Sequence, residues 1–516
     1  MLPNPDMMCK FLFTGILFFV LAVLPRPAHA QRVVYTDVER EDGRTINFEI
    51  IGKVGGNLLV YKNYRSDNII SVYDNDMKLK NRVKLKNMPE RVINADFISY
   101  PSAGYMIYQY QKRNIIHCMA LRLGGDGQPI GEEQELDTTQ IGTFQSNNKI
   151  YSMLYSEDRQ QIMVIKINRK NDRNHILTTM LFDTSLNLQY KHRMSIPMAN
   201  RNFYLAEFHV DNTGDLFFAK CQSTGSNEYV QKLELAYKPK AQENCQFFNI
   251  DTREKTLDEI KMKVDNANRK LIITSFYYSK RGGNIDGMYV NLWSKDNQLG
   301  TPAELAVFND TLRTEAKGEA SVKTAFNDFF IQHIIPKRDG GFILAAESNY
   351  STGSLNNPWN RWDYLNRYPY YTSYDYYDLG GRNWYWHNLD RYGRQSGVTW
   401  HNDNVVVFSF SPQGQLMWSN VIHKDQSDDY TQDLLSYEII ITGGQLHFLF
   451  NSKEKNDMLL NDHSISPSGH VTRNPTVKNL DRQHTIMPRY GKQINSKQMV
   501  FPCFYKGYLC FARIDY

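Results

Sequence analysis

The interval from Ser348 to His401 concentrates the side chains that could recognise another molecule. It holds five of the chain's seven tryptophans, ten tyrosines and five arginines, and no lysine lies between Lys337 and Lys424. Tyr, Trp and Arg with few lysines are typical of binding hot spots, because each offers a rigid apolar body with a polar group. The candidate binding residues are Trp359, Arg361, Trp362, Tyr370, Tyr371, Tyr374, Tyr376, Tyr377, Arg382, Trp384, Trp386 and Trp400.

Three interpretations of this interval remain open. It engages a protein partner, it stacks its aromatic faces on a glycan, or it is a long loop whose aromatics pack on one another. Long irregular segments in compact domains are more often functional or disordered than neutral. So many aromatic side chains argue against disorder. We therefore favour a protein partner and keep carbohydrate binding as the functional alternative.

Catalytic signatures are weak throughout the chain. Asp363 with Asp375 or Asp378 could serve glycoside hydrolysis, but 55 acidic residues make that choice arbitrary. His387 and the segment His401-Asn-Asp403 lack a second His or Cys at metal-ligand spacing. The sequence contains no P-loop, G-x-S-x-G or H-E-x-x-H motif. It therefore predicts no catalytic residue, metal or cofactor and favours a binding protein over an enzyme, without excluding a glycan-cleaving one.

The first 30 residues are typical of a secretory signal. Lys10 precedes the apolar run Phe11–Leu24, and Ala28-His-Ala30 matches a small-x-small cleavage site. We expect a mature chain from Gln31 that is periplasmic, outer-membrane-associated or extracellular. No later segment is apolar enough to span a bilayer, so any membrane association is expected to be peripheral.

The net charge argues against a nucleic-acid partner, and the number of cysteines limits the disulfides that the chain could form. The formal net charge of +5 is too small for a nucleic-acid-binding protein. Five cysteines follow residue 30, and Cys221 with Cys245 is favoured among the possible disulfides, but two buried free thiols are favoured over any bond between them. Cys503 and Cys510 flank a two-residue turn at Lys506-Gly507. They would face each other at a hydrogen-bonded pair, where side chains splay, which argues against a bond between them.

Two turn patterns alternate along the chain and predict its fold. In the first, an apolar strand enters an Asp/Asn/Gly turn and returns as a second apolar strand, as in Phe208–Phe218 and around Asp339-Gly-Gly341. In the second, a strand ends in a polar turn before a leucine-bearing strand, as in Phe182–Leu186 and Ser411–Leu416. Two hairpins per unit, repeated at intervals of mostly 45–65 residues, are typical of four-stranded propeller blades.

The chain therefore resembles the β-propeller superfamily in general, without the Gly-His and Trp-Asp pattern of WD40 repeats. We expect an all-β fold: one closed propeller over residues 31–516, with seven or eight blades. The segment Arg32–Thr36 is expected to pair into the last blade, which would remove both open edges. Residues 348–401 form an insertion within the sixth blade. With its export signal, the chain resembles exported propeller proteins of Gram-negative bacteria.

Overall fold

The computed structural model covers most of the chain after the predicted signal. It describes residues 32–38, 47–64, 67–141, 149–171, 173–199, 202–223, 229–280, 282–317, 322–353, 398–429, 432–454, 457–474 and 484–516. The predicted signal and most of the insertion lie outside the described residues. No helix in the described ranges is long and apolar enough to cross a bilayer.

The first three sheets are antiparallel and contain four consecutive strands each. The N-terminal strand β1 (Arg32–Tyr35) precedes them. The first sheet contains β2 (Asn47–Val54), β3 (Asn57–Tyr64), β4 (Asp67–Tyr73) and β5 (Leu79–Lys84). The second contains β6 (Asn94–Ser99), β7 (Gly104–Lys112), β8 (Ile115–Leu123) and β9 (Gln134–Gln140). The third contains β10 (Tyr151–Tyr155), β11 (Ile162–Asn171), β12 (Asn174–Phe182) and β13 (Leu188–Pro197).

The fourth sheet has ten strands in two halves. The first half contains β14 (Phe203–Val210), β15 (Leu216–Ser223), β16 (Val230–Lys238) and β17 (Gln246–Ile250). The second contains β18 (Thr256–Leu257), β19 (Lys261–Asp265), β20 (Lys270–Tyr278), β21 (Gly287–Ser294), β22 (Leu299–Gly300) and β23 (Glu304–Val307). A single residue pair, Val230 with Leu257, joins β16 to β18. Each half therefore corresponds to one repeat unit.

Three further sheets complete the described fold. The fifth contains β24 (Phe329–Pro336), β25 (Phe342–Thr352), β26 (Thr399–Phe410), β27 (Leu416–Ile422) and β28 (Ser427–Asp428). The sixth contains β29 (Tyr437–Thr442), β30 (Gln445–Glu454), β31 (Asp457–Ile465) and β32 (Val471–Arg473). The last contains β33 (His484–Ile486), β34 (Lys492–Asn495), β35 (Gln498–Tyr505) and β36 (Tyr508–Asp515). Helix α1 (Asp310–Lys317) and two 3-10 helices, Val322–Thr324 and Pro488–Tyr490, lie in connections.

The repeated polar turns are built by side-chain oxygens that cap their own turn. The carboxylates of Asp74, Asp183 and Asp211 each accept N–H groups from the residues two and four positions later, at 2.8–2.9 Å. The Ser411 hydroxyl does the same for residues 413 and 415 at 3.2 Å. Such Asx and Ser turns satisfy backbone donors locally. The sequence pattern therefore reports a real structural repeat.

Apolar side chains fill the space between neighbouring sheets. In the described residues there are eight apolar clusters, and each joins one repeat unit to the next. The cluster containing Phe48 and Val60 of the first sheet also contains Val500 and Phe511 of the last sheet. Antiparallel four-stranded sheets packed face to face in this serial order are typical of propeller blades. The chain thus has a propeller-type, all-β architecture.

The N-terminal strand pairs as the sequence predicted. Residues Arg32–Tyr35 of β1 lie antiparallel to Asp515–Ala512 of β36. Thr36 extends the contact, because its N–H donates to the Phe511 carbonyl at 2.9 Å and its hydroxyl accepts from the Phe511 N–H at 3.0 Å. The first and last segments of the described chain therefore complete the same sheet.

The favoured disulfide between Cys221 and Cys245 is wrong in this structure, where both are free thiols. Cys221 lies in the core between the two halves of the fourth sheet. Cys245 packs on the core between the third and fourth sheets, with its Sγ 3.3 Å from the Met194 Sδ. The two sulfurs therefore belong to different cores, because they lie on opposite faces of the first half of the fourth sheet.

Candidate functional site

The insertion leaves and re-enters the fifth sheet through a paired stem. Beyond the sheet proper, β25 and β26 continue their ladder through Tyr350–His401, Ser351–Trp400 and Thr352–Thr399. Strand β28 adds a third strand by pairing Ser427 and Asp428 with β26. We call residues 349–352, 399–402 and 427–428 the stem. Its last paired residues, Thr352 and Thr399, are direct neighbours across the ladder.

The structure corrects the expected borders of the insertion. The sequence placed the insertion at residues 348–401, whereas the paired strands run to Thr352 and begin again at Thr399. Of the twelve predicted binding residues, Trp400 alone falls in the described part, as a half-buried stem residue. The others lie outside the described residues: Trp359, Arg361, Trp362, Tyr370, Tyr371, Tyr374, Tyr376, Tyr377, Arg382, Trp384 and Trp386.

One face of the stem carries a polar aromatic cluster. The rings of Tyr350 and His401 stack with centroids 4.6 Å apart, and the Tyr350 hydroxyl lies 2.8 Å from an Asp403 carboxylate oxygen, to which it donates. Thr352 Oγ1 lies 2.9 Å from His401 Nε2. Burial raises the pKa of Tyr350, and the hydrogen bond to Asp403 raises it further. A phenol that holds its proton this firmly positions neighbours rather than abstracting protons.

The charged groups around this cluster are mainly acidic. Burial raises the pKa of Asp403, and nearby Asp425 acts in the same direction. Asp429 accepts a hydrogen bond from Thr399 Oγ1 at 2.6 Å. Asp428, in the third strand of the stem, adds a further carboxylate. This concentration of carboxylates at the base of an arginine-rich insertion favours the approach of cationic groups.

Helix α1 supports the stem from one side. The Asn309 side chain caps its first turn by accepting the Leu312 N–H at 2.8 Å. The last turn meets the stem, where the carbonyl of Ala316 accepts the Asn404 side-chain amide at 2.8 Å. The Lys317 ammonium pairs with Asp328 and lies 5.7 Å from the centroid of the Tyr350 ring. A cation at this distance from an aromatic ring is attracted to its face.

The opposite face of the stem rests on a buried polar network centred on Glu347. Glu347 Oε2 accepts hydrogen bonds from the Asn402 amide at 2.9 Å and the Ser436 hydroxyl at 2.7 Å. Glu347 Oε1 lies 2.7 Å from the Lys424 ammonium. Lys424 also donates to the Asn402 carbonyl at 2.6 Å and to Gln426 Oε1 at 2.8 Å. Burial lowers the pKa of Lys424, and the adjacent Glu347 opposes that shift.

The network continues into the next two sheets. The Gln426 side chain donates to the Asn451 carbonyl at 2.7 Å and accepts the Ser436 N–H at 2.8 Å. The Asn451 side chain then donates to the Ile486 carbonyl of the last sheet at 2.7 Å. Sequence reasoning missed this network. The one signal was Glu347 itself, an acidic residue directly after the apolar run Phe342–Ala346, where an unpaired charge would be costly.

A second concave feature lies at the opposite end of the strands, between the two halves of the fourth sheet. This cleft has a cavity volume of about 80 Å³ and is lined by Asp211, Phe217, Trp293 and Lys295, among others. The Lys295 ammonium pairs with Asp211, and it lies 2.7 Å from Asp215. Lys295 thus pairs with both carboxylates. We therefore interpret the cleft as the packing junction between the two halves of the fourth sheet.

The described part of the chain contains no group of three or more His, Cys, Asp or Glu side chains placed to hold a metal ion. His401 and Asp403, considered as ligands from the sequence, are instead engaged with Thr352 and Tyr350. The site is therefore organised by hydrogen bonds and one buried ion pair.

Comparison with known proteins gives likeness of fold only. No family model and no curated protein matches the chain. Among solved structures, it is similar to the WD40 domain of SCAP from fission yeast, at 9% identity and a TM-score of 0.41, covering 94% of this chain and 98% of that one. It is similar to a prolyl endopeptidase at 8% identity and a TM-score of 0.39, covering 98% of this chain and 60% of that chain.

A third neighbour is a polysaccharide lyase, the ulvan lyase of family PL25. The identity is 10% and the TM-score 0.37, with 80% of this chain and 90% of that chain covered. The SCAP domain and the peptidase are propeller-type folds. At these identities and TM-scores the neighbours carry no argument about activity or partners.

Proposed function

We propose that this chain is an exported, non-enzymatic binding or scaffolding protein whose 348–401 insertion engages a protein partner. We also infer that the eight repeat units close into one eight-bladed ring, with β1 completing the last blade. The order of the apolar clusters supports the ring, since the last unit packs against the first. The signal-like residues 1–30 support export to the periplasm, the outer membrane or the medium.

The observation that carries the binding proposal is the construction of the stem. A segment of 46 residues, 353–398, is closed at its base by the paired residues Thr352 and Thr399. Beneath it lies a buried ion pair with hydrogen bonds to three segments of chain. A rigid scaffold that presents one long loop rich in Trp, Tyr and Arg is a common design for recognition.

The stem also supplies a sharp test. Replacing residues 353–398 by Asn-Gly joins Thr352 to Thr399 through a two-residue hairpin turn, and the ladder beneath it stays intact. A matched control variant, Leu188→Ala with Met417→Ala, trims exposed apolar side chains on outer strands and keeps the insertion. We expect wild type and control to capture the same partner in pull-downs, and the hairpin variant to lose it while its circular dichroism is unchanged. Identical capture by all three would remove the insertion from the function.

The carbohydrate alternative uses the same aromatic side chains as stacking platforms. Five of seven tryptophans lie in the insertion, which is the observation that favours it. Glycan-array binding that disappears in a Trp384→Ala, Trp386→Ala variant would establish this alternative. An absence of glycan binding together with retained protein capture would eliminate it.

A further inference from the structure

Strands β35 and β36 bring two sulfur atoms together inside the last sheet. Cys503 and Cys510 are free thiols that are directly paired across this hairpin, and their Sγ atoms are 2.7 Å apart. Non-bonded carbon atoms pack about 3.5–4.0 Å apart, and sulfur is larger than carbon, so these two sulfurs are closer than an ordinary van der Waals contact. Neither residue is exposed to solvent, and both belong to the core between the sixth and last sheets. The sequence-based expectation that these side chains splay apart is therefore wrong.

The surroundings of the pair favour thiol chemistry on one sulfur. The hydrogen bond with Cys503, helped by His484, lowers the pKa of Cys510 to about 7, although burial acts in the opposite direction. Burial and the hydrogen bond with Cys510 raise the pKa of Cys503. His484 is held in place between two aromatic rings, with centroids 4.0 Å from Tyr35 and 4.6 Å from Tyr505. The thiolate is the nucleophile in disulfide exchange, so Cys510 is the attacking sulfur and Cys503 the resolving one.

We propose that Cys503 and Cys510 form a disulfide when the chain folds in the presence of a disulfide oxidant, and that this bond fastens the hairpin on which β1 docks. The Cys510 thiolate attacks one sulfur of the oxidant's disulfide and displaces the other as a thiolate. The Cys503 thiol then loses its proton and attacks the mixed disulfide at the Cys510 sulfur. The chain loses two protons and two electrons, and the oxidant, a small disulfide or a dithiol oxidase, is reduced to two thiols.

The bond lies beside the edge on which the N-terminal strand docks, and this position indicates a structural role. Strand β36 pairs with β35 on one side and with β1 on the other. A covalent link between β35 and β36 therefore holds the receiving edge for the N-terminal strand. Because both sulfurs are buried between the sixth and last sheets, the oxidant must reach them after the last sheet, which includes His484, has formed and before the sixth sheet packs on it. A reductant must wait for the fold to open. The proposal does not depend on the insertion or its partner.

The remaining described thiols provide internal controls. Cys118 and Cys221 are buried in separate cores, and Cys245 contacts the thioether of Met194. Burial raises the pKa of all three thiols. They are therefore poor nucleophiles, and none has a cysteine partner among the described residues.

The test is peptide mapping of the full chain after refolding with oxidised glutathione. Free thiols are alkylated with iodoacetamide in denaturant without reductant, and the protein is cleaved with trypsin. Cleavage after Lys506 separates the two cysteines, so the bond links the peptides Gln498–Lys506 and Gly507–Arg513. We expect this linked pair, lighter than the two free peptides by two hydrogen atoms, with Cys118, Cys221 and Cys245 alkylated.

Variants and a second preparation make the outcome unambiguous. Cys503→Ala or Cys510→Ala should abolish the linked pair and leave the remaining thiol alkylated, whereas Cys118→Ala should not affect it. Alkylation of both Cys503 and Cys510 in refolded wild type, or their random linkage to other cysteines, would overturn the proposal. Protein isolated from cells tests export separately. The linked pair in that protein shows that the chain met an oxidant, and two alkylated thiols there, with the bond present after refolding, show that the chain stayed in a reducing compartment.

Discussion

Glu347 and Lys424 form an ion pair inside the molecule, with their charged atoms 2.7 Å apart and their side chains 0% and 1% exposed. The pair joins β25 of the fifth sheet to the segment that leads into the sixth. Removal of one partner of a buried ion pair strongly destabilises a fold, because the other charge is left uncompensated. This ion pair thus anchors the stem, and we expect few substitutions of Glu347 or Lys424 to be tolerated.

Breaking this pair should destabilise the whole fold. We expect Glu347→Gln or Lys424→Met to lower the free energy of unfolding by about 3–5 kcal/mol, measured by urea denaturation. The double variant should recover part of the loss, because neither charge is then left alone. The control is Asp67→Asn, which breaks the exposed pair with Lys84 and should cost about 0–1 kcal/mol. Equal losses in buried and exposed variants would contradict the assignment.

The self-capped turn at Asp211 should be a local centre of stability. Asp211 Oδ1 accepts the N–H groups of Thr213 and Asp215, and its other oxygen pairs with Lys295. We expect Asp211→Ala to cost about 2–4 kcal/mol, and Asp211→Asn about half as much, since the amide oxygen still accepts the turn hydrogen bonds. Ser466→Ala, at an equivalent but exposed turn, should cost less than about 1 kcal/mol. Denaturant midpoints rank the three variants.

Glu207, which lies between the halves of the fourth sheet, should contribute to the loss of folding stability at acid pH. Burial alone would raise the pKa of Glu207, but Lys261, His209 and the Met262 N–H lower it from 4.5 to about 2. A lowered folded-state pKa means stability that is complete above pH 4.5 and lost as pH falls toward 2. The wild type should therefore lose its advantage over Glu207→Gln, on the order of 2 kcal/mol, in that window. A pH-independent difference between the two proteins would refute this.

Removal of β1 should open the last sheet. A chain beginning at Asp37 lacks the ladder to β36 and the Thr36 contacts to Phe511. We expect its thermal midpoint to fall, with a loss of roughly 2–5 kcal/mol, and its exposed strand edge to promote association in size-exclusion chromatography. A chain beginning at Arg32 keeps the strand and serves as the control. Matching midpoints for the two chains would argue against a stabilising role for the N-terminal strand.

The turns and strands were readable from the sequence because they depend on local chemistry. Asp, Asn, Gly and Ser at fixed offsets produced the turns, and alternating apolar residues produced the strands. The pairing of β1 with β36 was predictable because the last unit offered three strands and the N-terminal segment Arg32–Thr36 could supply a fourth. Helix α1 was missed, although Asn309 followed by Asp310 is a cap signal, because eight residues between strands give little periodicity.

The predictions that were wrong or missing depend on where side chains lie in three dimensions, which local sequence patterns do not show. Which core receives Cys221 or Cys245 depends on the face of a sheet that each side chain occupies, and residue spacing did not reveal it. The contact between Cys503 and Cys510 followed the predicted register, yet the side-chain directions differed from the expectation for a hydrogen-bonded pair. Glu347 and Lys424 are 77 positions apart, so their pairing had no local signal. The stem likewise emerged only from the ladder between β25 and β26.

The most direct measurement of the central claim is the dissociation constant between the purified chain and the partner captured by the wild type. We compare wild type, the Trp384→Ala, Trp386→Ala variant, and the Leu188→Ala, Met417→Ala control. If the insertion carries the binding energy, the tryptophan variant should bind roughly 1,000-fold more weakly, because hot-spot aromatics contribute about 2 kcal/mol or more each and the variant removes two of them. The control should match the wild type. A tryptophan variant whose affinity stays within about threefold of the wild type would contradict the account, since a single hot-spot loss already exceeds that factor.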